Sequence, residues 1–265
     1  VTGDASFAAR ARRVRFVLVT PSHPGNIGAA ARALKVMGFA RLAVVAPRVA
    51  AFRADAEALA WSAHGSDVLA AAEDFPDLAS ALADTTYAYA MTGYAREFGA
   101  RFVPLRQAAA ETGARLADAR QTVAFVFGTE RYGLTNEQAQ LCQACCAVPA
   151  APDASSLNLA QAVQVTAYEL RLALDAPPPA NRFDVEPPAP LEAVEGMFAH
   201  LEQALIALGY LDPAEPRRLM ARLRRLLARA QPTASEIDIL RGIAAAIIRR
   251  KSDRVGDKSP HRRRG

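Results

Sequence analysis

Five short runs of β-branched and aromatic residues, separated by alanine-rich stretches of helical character, restrict this chain to a narrow set of folds. The runs are VRFVLVT (14–20), LAVVA (42–46), TYAYAM (86–91), VAFVF (123–127) and the shorter CCAVP (145–149), with helical stretches starting near Asn26, Phe75, Thr135 and Asn158. Strands that read as continuous apolar runs are buried on both faces, and their alternation with helices favours a largely parallel sheet covered on both sides. Residues 1–175 are therefore expected to form an α/β domain. The opening VTGDASFAARARR contains arginines but no apolar run of the kind a secretory leader carries, so it reads as a ragged N-terminal arm and the protein as cytoplasmic.

Residues 176–190, APPPANRFDVEPPAP, are crowded with prolines and read as a linker, because proline removes backbone donors and favours extended geometry. Beyond it Leu191, Val194, Phe198, Leu201, Leu205 and Leu208 recur at helical spacing and stop at Gly209. Asp212 with Pro213 is expected to open a second helix, and Thr233 with Glu236 forms a capping-box pattern for a third. The expected division is thus a helical RNA-binding extension over 191–250 and a basic, disordered tail over 251–265.

Charge supports that reading of the distal part. Of the 32 Lys+Arg and 27 Asp+Glu, 15 and 4 fall in residues 217–265, leaving 17 and 23 in an acidic body. A basic end on an acidic body suggests a polyanionic partner, RNA or DNA ahead of a membrane surface. Arg218, Arg222, Arg225 and Arg229 are spaced to share one helix face, beside an apolar stripe of Leu219, Leu223 and Leu226. That face is either a phosphate-binding ridge or simply solvated. No apolar run is long enough to span a bilayer. Cys142, Cys145 and Cys146 are too few for a structural zinc site and odd in number for a disulfide framework, so they are expected as buried thiols, and no metal is expected.

Three strings follow strand candidates and could carry chemistry. In PSHPGNIGAAARALKVMGF, Gly25 and Gly28 permit a tight turn while Asn26 and Arg32 lie at the start of a helix, an arrangement that favours anions. It matches neither a dinucleotide fingerprint nor a P-loop, which disfavours an oxidoreductase or a nucleotide hydrolase. In VAFVFGTERYGLTNEQ, Gly128, Glu130 and Gly133 follow the most apolar strand, where open α/β sheets place ligands. In VPAAPDASSLNLAQAV, Ser155, Ser156 and Asn158 stand at a helix start. Taken singly, Arg32 could be a structural helix arginine, Glu130 a cap or ion-pair carboxylate, and the last three ordinary N-caps.

Their order is more specific than any one of them. N-x-G-x-x-x-R, then F-G-x-E-x-x-G-L, then S-L-N resembles the signature of the SpoU class of SPOUT methyltransferases over residues 14–174. NIGAAARALKVMGF, FGTERYGLTN, SSLNLAQAV and the distal EIDILRGI resemble the TrmJ branch, which extends the likeness over nearly the whole chain. The resemblance implies a SPOUT-type parallel sheet with a C-terminal trefoil knot, a small α-helical extension, S-adenosylmethionine as cofactor and a homodimer. It also implies 2′-O-methylation of cytidine or uridine at position 32 of the tRNA anticodon loop. An rRNA methyltransferase of the same class and a noncatalytic RNA-binding protein of the same fold are the alternatives.

Carried onto matching positions, the cofactor loops are Gly93, Tyr94 and Ala95, then Gly128, then Val148, then Ser155, Ser156 and Leu157. Asn26, Arg32, Glu130, Ser156 and Asn158 shape the catalytic pocket. Arg32 is the family's candidate for activating the ribose hydroxyl, as a positioning and charge-stabilising group ahead of a true general base, given an arginine pKa above about 12. Gly93 and Tyr94 depart from the small Thr/Ser-type residues more usual at those positions.

Overall fold

The computed structural model describes residues 2–93, 101–151, 156–175, 186–215 and 217–256. Among them seven strands form one parallel sheet: β1 (Val14–Val19), β2 (Arg41–Val45), β3 (Glu73–Phe75), β4 (Tyr87–Met91), β5 (Arg101–Pro104), β6 (Val123–Phe127) and β7 (Ala144–Ala147). Their order is β3-β2-β1-β6-β4-β7-β5. The helices of the sheet domain are α1 (Thr2–Ala11), α2 (Pro24–Met37), α3 (Ala56–Ser62), α4 (Ser66–Ala70), α5 (Leu78–Ala81), α6 (Leu105–Arg115), α7 (Asn136–Gln140) and α8 (Leu159–Asp175). The extension follows as α9 (Leu191–Leu208), α10 (Leu219–Ala230) and α11 (Ala234–Gly256).

Every residue of β1, β4 and β6 is buried, as continuous apolar strands at the centre of a two-sided sheet must be. Side-chain alternation splits them into two layers. Phe16, Leu18, Tyr89, Phe125 and Phe127 fill the layer under α2 and α8, where the Tyr89 and Phe125 rings stack with centroids 4.9 Å apart. The opposite layer is built from small residues such as Val17, Ala43, Ala88 and Ala124, with Leu78, Ala139 and Leu191 upon them. Each large side chain fully removed from water contributes roughly 1.5–3 kcal/mol.

The chain lays β1, β2 and β3 toward one edge and crosses to β4 and then to β5 at the other. It returns to place β6 at the centre and finally inserts β7 between β4 and β5. The carboxyl ends of β4, β6 and β7 are therefore adjacent, and the segments after them share one end of the sheet.

Several expectations need correction. Residues 2–11 are not a ragged arm: they form α1, whose Phe7 and Ala11 are buried, with the Phe7 ring 5.7 Å from that of Phe39 and the Arg171 guanidinium 3.9 Å above it. Arg10 also donates to the carbonyl of Leu174. The strands β3 (EDF) and β5 (RFVP) were not anticipated, because edge strands exposed to water carry polar residues and lose the apolar signature. All three cysteines are buried, and burial pushes the Cys146 thiol up to about 12.

In the extension, α9 ends at Gly209 with φ of 74°, and the box at the start of α11 is made: Thr233 N–H donates to Glu236 Oε2 (2.8 Å) and Glu236 N–H to Thr233 Oγ1 (3.3 Å). The second helix starts at Leu219 rather than after Asp212. Asp212 accepts from Ala214 N–H in a turn instead, and Arg217 takes a left-handed φ of 49° that interrupts helical continuation. The inward stripe of α10 is Met220, Leu223 and Leu227, whereas Leu226 is half-exposed. Helix α11 runs to Gly256, past the expected boundary at 250; residues 257–265 of the expected tail lie outside the described residues.

Candidate functional site

The site is built where α2 begins. His23 occupies the N-cap of α2 with no side-chain cap bond, and Pro24 follows it, so the helix start is not held by a cap of its own. Glu130, from the turn after β6, instead binds the backbone leading into the helix and the side chain of Asn26 in its first turn. Its carboxylate accepts from Ser22 N–H (3.0 Å), Ser22 Oγ (2.7 Å), His23 N–H (3.3 Å) and Asn26 Nδ2 (3.0 Å). A negative charge at the positive end of a helix is also favoured by the aligned peptide dipoles. Partial burial by itself would raise the Glu130 pKa, but the hydrogen bonds from Asn26 and Ser22 outweigh it and hold the group down at about 2. Glu130 is thus an ionised acceptor near neutral pH.

The network continues into the third string. Asn158 Nδ2 donates to Asn26 Oδ1 (3.0 Å), while Asn158 Oδ1 accepts from Ala160 N–H (2.9 Å) at the start of α8. The Asn26 amide therefore bridges Glu130 and Asn158. Residues 22, 26, 130 and 158, distant in sequence, are locked into one polar chain that ties the starts of α2 and α8 to the turn after β6.

That turn is tight. Thr129 and Gly133 exchange backbone hydrogen bonds of 3.1 and 2.9 Å, Gly133 has φ of +66°, and a Cβ on Gly128 would stand 2.0 Å from the Gly133 carbonyl carbon. Gly133 is needed for its dihedral, Gly128 for lack of room.

Beside the network lies an open cleft of about 430 Å³, within the usual range for a small-molecule site. Gly93, Gly128, Val148, Ser156 and Leu157, named above for the cofactor loops, line it together with Glu130. Tyr94, Ala95 and Ser155 lie outside the described residues. Met91, Leu159, Arg131 and Tyr132 also line it and are not among the residues named above; Arg131 and Tyr132 fall at the two unspecified positions of F-G-x-E-x-x-G-L, where no pattern marks them. Ser22 was missed for a similar reason, since an isolated serine before a helix carries no long-range signal. The lining suits a cofactor with a purine and a cationic centre: Met91, Val148, Leu157 and Leu159 offer apolar surface, and Glu130 an ionised carboxylate.

Arg32 is not brought into this group. It is exposed on α2, absent from the cleft lining, and six residues beyond Asn26, which places it on a different side of the helix. Arg218, Arg222, Arg225 and Arg229 are all exposed, Arg218 at the N-cap of α10. Arg224, between them, is turned inward, pairing with Glu195 and lying 4.4 Å from the Phe198 ring. No group of His, Cys, Asp and Glu among the described residues could hold a metal ion, and no helix among them is long and apolar enough to cross a membrane.

Two family models match the chain: the SpoU rRNA methylase family over residues 13–168, and the C-terminal domain of the tRNA methyltransferase TrmJ over residues 192–256. The chain is 39% identical over 240 residues to a tRNA (cytidine/uridine-2′-O-)-methyltransferase TrmJ of Cronobacter sakazakii, covering 89% of this chain and 96% of the relative. It is 41% identical over 238 residues to the protein of the same name from Pectobacterium atrosepticum, covering 88% and 96%. Its structure is similar to the crystal structure of TrmJ from Z. mobilis, with a TM-score of 0.76 at 34% identity over 88% of this chain and 98% of that one.

Proposed function

The chain belongs to the SpoU methylase family, in its TrmJ branch, and on that premise we propose that it is an S-adenosylmethionine-dependent tRNA ribose 2′-O-methyltransferase acting on cytidine and uridine. The nucleotide we assign is position 32 of the anticodon loop. The observation that carries the reading is the hydrogen-bonded chain Glu130–Asn26–Asn158, which joins residues from all three strings beside a cleft of small-molecule size.

S-adenosylmethionine, when bound, supplies a methyl group on a sulfonium centre. Everything else falls to the protein. Glu130, ionised, complements a cation and anchors the start of α2, while Asn26 and Asn158 hold the two helix starts in register. Ser156 and Leu157, exposed and lining the cleft, are assigned to shaping the entry for the ribose. A ribose hydroxyl is a weak acid, so alignment and stabilisation of developing alkoxide charge supply much of the acceleration. Arg32 has that role in our reading, holding a phosphate and the attacking hydroxyl. Its position outside its own cleft supports a homodimer in which Arg32 of the partner subunit serves the neighbouring cleft.

Insertion of β7 between β4 and β5 after the chain has already passed to the outer edge supports a trefoil knot in the C-terminal part of the sheet domain. The extension, with Arg218, Arg222, Arg225 and Arg229 exposed, is assigned to phosphate contacts with tRNA, and a tRNA substrate supports a cytoplasmic location. Labelled-methyl transfer from S-adenosylmethionine into bulk tRNA, followed by nuclease mapping, tests the reading. Label on the ribose of pyrimidine 32 is expected; label on a base, in rRNA only, or nowhere would overturn it.

A further inference from the structure

We infer that Arg131 and Tyr132, at the lip of the cleft, form a stacking platform for the base of the nucleotide whose ribose is methylated. The inference rests on the proposed function and adds to it how the substrate nucleotide is held. Glu130, Arg131 and Tyr132 are successive residues of one short turn, and they divide the work. Glu130 is anchored inward by Ser22, His23 and Asn26 while keeping its charge at the cleft. Arg131 and Tyr132 are both exposed, and both line the cleft.

Tyr132 is 73% exposed, the most exposed large hydrophobic side chain among the described residues. Among the described residues no core packing accounts for an aromatic ring there. Yet its backbone is held: its N–H donates to Thr129 Oγ1 (3.2 Å), inside a turn closed by the paired Thr129 and Gly133 bonds. A large ring kept in water on a rigid support loses little freedom when a flat partner covers it.

Arg131 lies with its guanidinium carbon 5.1 Å from the Tyr132 ring centroid, and among the described residues no carboxylate pairs with it. An aromatic face with an adjacent exposed guanidinium is the chemistry that recognises unstacked RNA: the ring takes the base, and the cation a phosphate or a second π face. A folded duplex cannot offer such a base, whereas a loop nucleotide can. The ring is exposed and lines the same cleft as Ser156 and Leu157, which fits a base whose sugar is turned into the cleft.

The test uses the full-length protein and tRNA. Tyr132→Ala is expected to raise the KM for tRNA roughly tenfold, within the span of about 5- to 160-fold for losing one base stack, with kcat changed less than about threefold. Tyr132→Phe restores the wild-type KM. S-adenosylmethionine affinity and oligomeric state stay at wild-type values in both. The salt dependence of tRNA binding is unchanged in Tyr132→Ala, whereas Arg131→Ala lowers its slope by about one phosphate contact. A fluorescent cytidine analogue at the methylated position is quenched by wild type and Tyr132→Phe but not by Tyr132→Ala. A KM within twofold of wild type in Tyr132→Ala, or a loss accompanied by a changed oligomeric state, overturns the inference. If wild type transfers no methyl to tRNA, the proposed function itself fails; if it does and Tyr132→Ala is indistinguishable, only the platform falls.

Discussion

Replacing Glu130 by glutamine keeps the shape of the side chain and removes its charge, which makes it a direct measure of what the polar chain between α2, α8 and the β6 turn contributes. The carboxylate presents only acceptors to Ser22 N–H, Ser22 Oγ, His23 N–H and Asn26 Nδ2. A glutamine must turn an NH₂ toward some of those donors. The folded protein holds the carboxyl at about 2, down from 4.5, because these bonds outweigh the opposing effect of partial burial. In a dry site that separation would be worth about 3 kcal/mol. The group is half-buried at the edge of an open cleft, and screening by water reduces the figure to about 1–2 kcal/mol.

The sign follows from the direction of the shift. A carboxylate held below its unfolded value contributes stability that is complete above about pH 4.5 and is lost as pH falls toward about 2. Thermal unfolding of wild type and Glu130→Gln should therefore differ by roughly 2–8 °C in Tm at pH 7, from the usual response of a chain this long. The gap should narrow steadily below pH ~4.5. A gap that stays constant from pH 7 to pH 3, or no gap at pH 7, would refute the reasoning, because then neither the charge nor its donors matter to the fold.

The two glycines of the same turn should behave differently. Gly128→Ala, whose Cβ would meet backbone at 2.0 Å, is expected to cost more than ~3 kcal/mol and abolish S-adenosylmethionine binding; Gly133→Ala, with open space around it but φ of +66°, should cost about 1–2 kcal/mol. Equal melting temperatures for the two variants would contradict this account. Arg32→Ala should lower turnover at least about a hundredfold with cofactor affinity within a few-fold, read by single-turnover methylation and calorimetry; near-normal turnover removes Arg32 from the mechanism. Replacing Arg222, Arg225 and Arg229 together by alanine should weaken tRNA binding at low salt and reduce its salt slope by about two to three, measured by filter binding across ionic strength; an unchanged slope would make that face merely solvated.

Much of this was legible in residues alone because it is written in short-range patterns. The apolar runs at 14–20, 42–46, 86–91 and 123–127 correspond to central strands, since a strand buried on both faces has no polar alternation to obscure it. The stop at Gly209 and the Thr233/Glu236 box depend on neighbours within a few residues, and both are made as expected. The charge asymmetry and the three strings are likewise properties of sequence order.

Only the tertiary structure decided what depends on partners far along the chain. Glu130 is an anchor rather than an isolated cap because its donors come from more than a hundred residues away. The N-terminal segment is a docked helix because Phe39 and Leu174 receive it, and β3 and β5 exist because neighbouring strands pair with them despite weak patterns of their own. Arg224 turns inward while its helical neighbours face solvent, because Glu195 and Phe198 lie beneath it. Local propensity sets which segments are helix or strand; which side chains meet is set by packing among segments whose encounter leaves no trace in the residues between them.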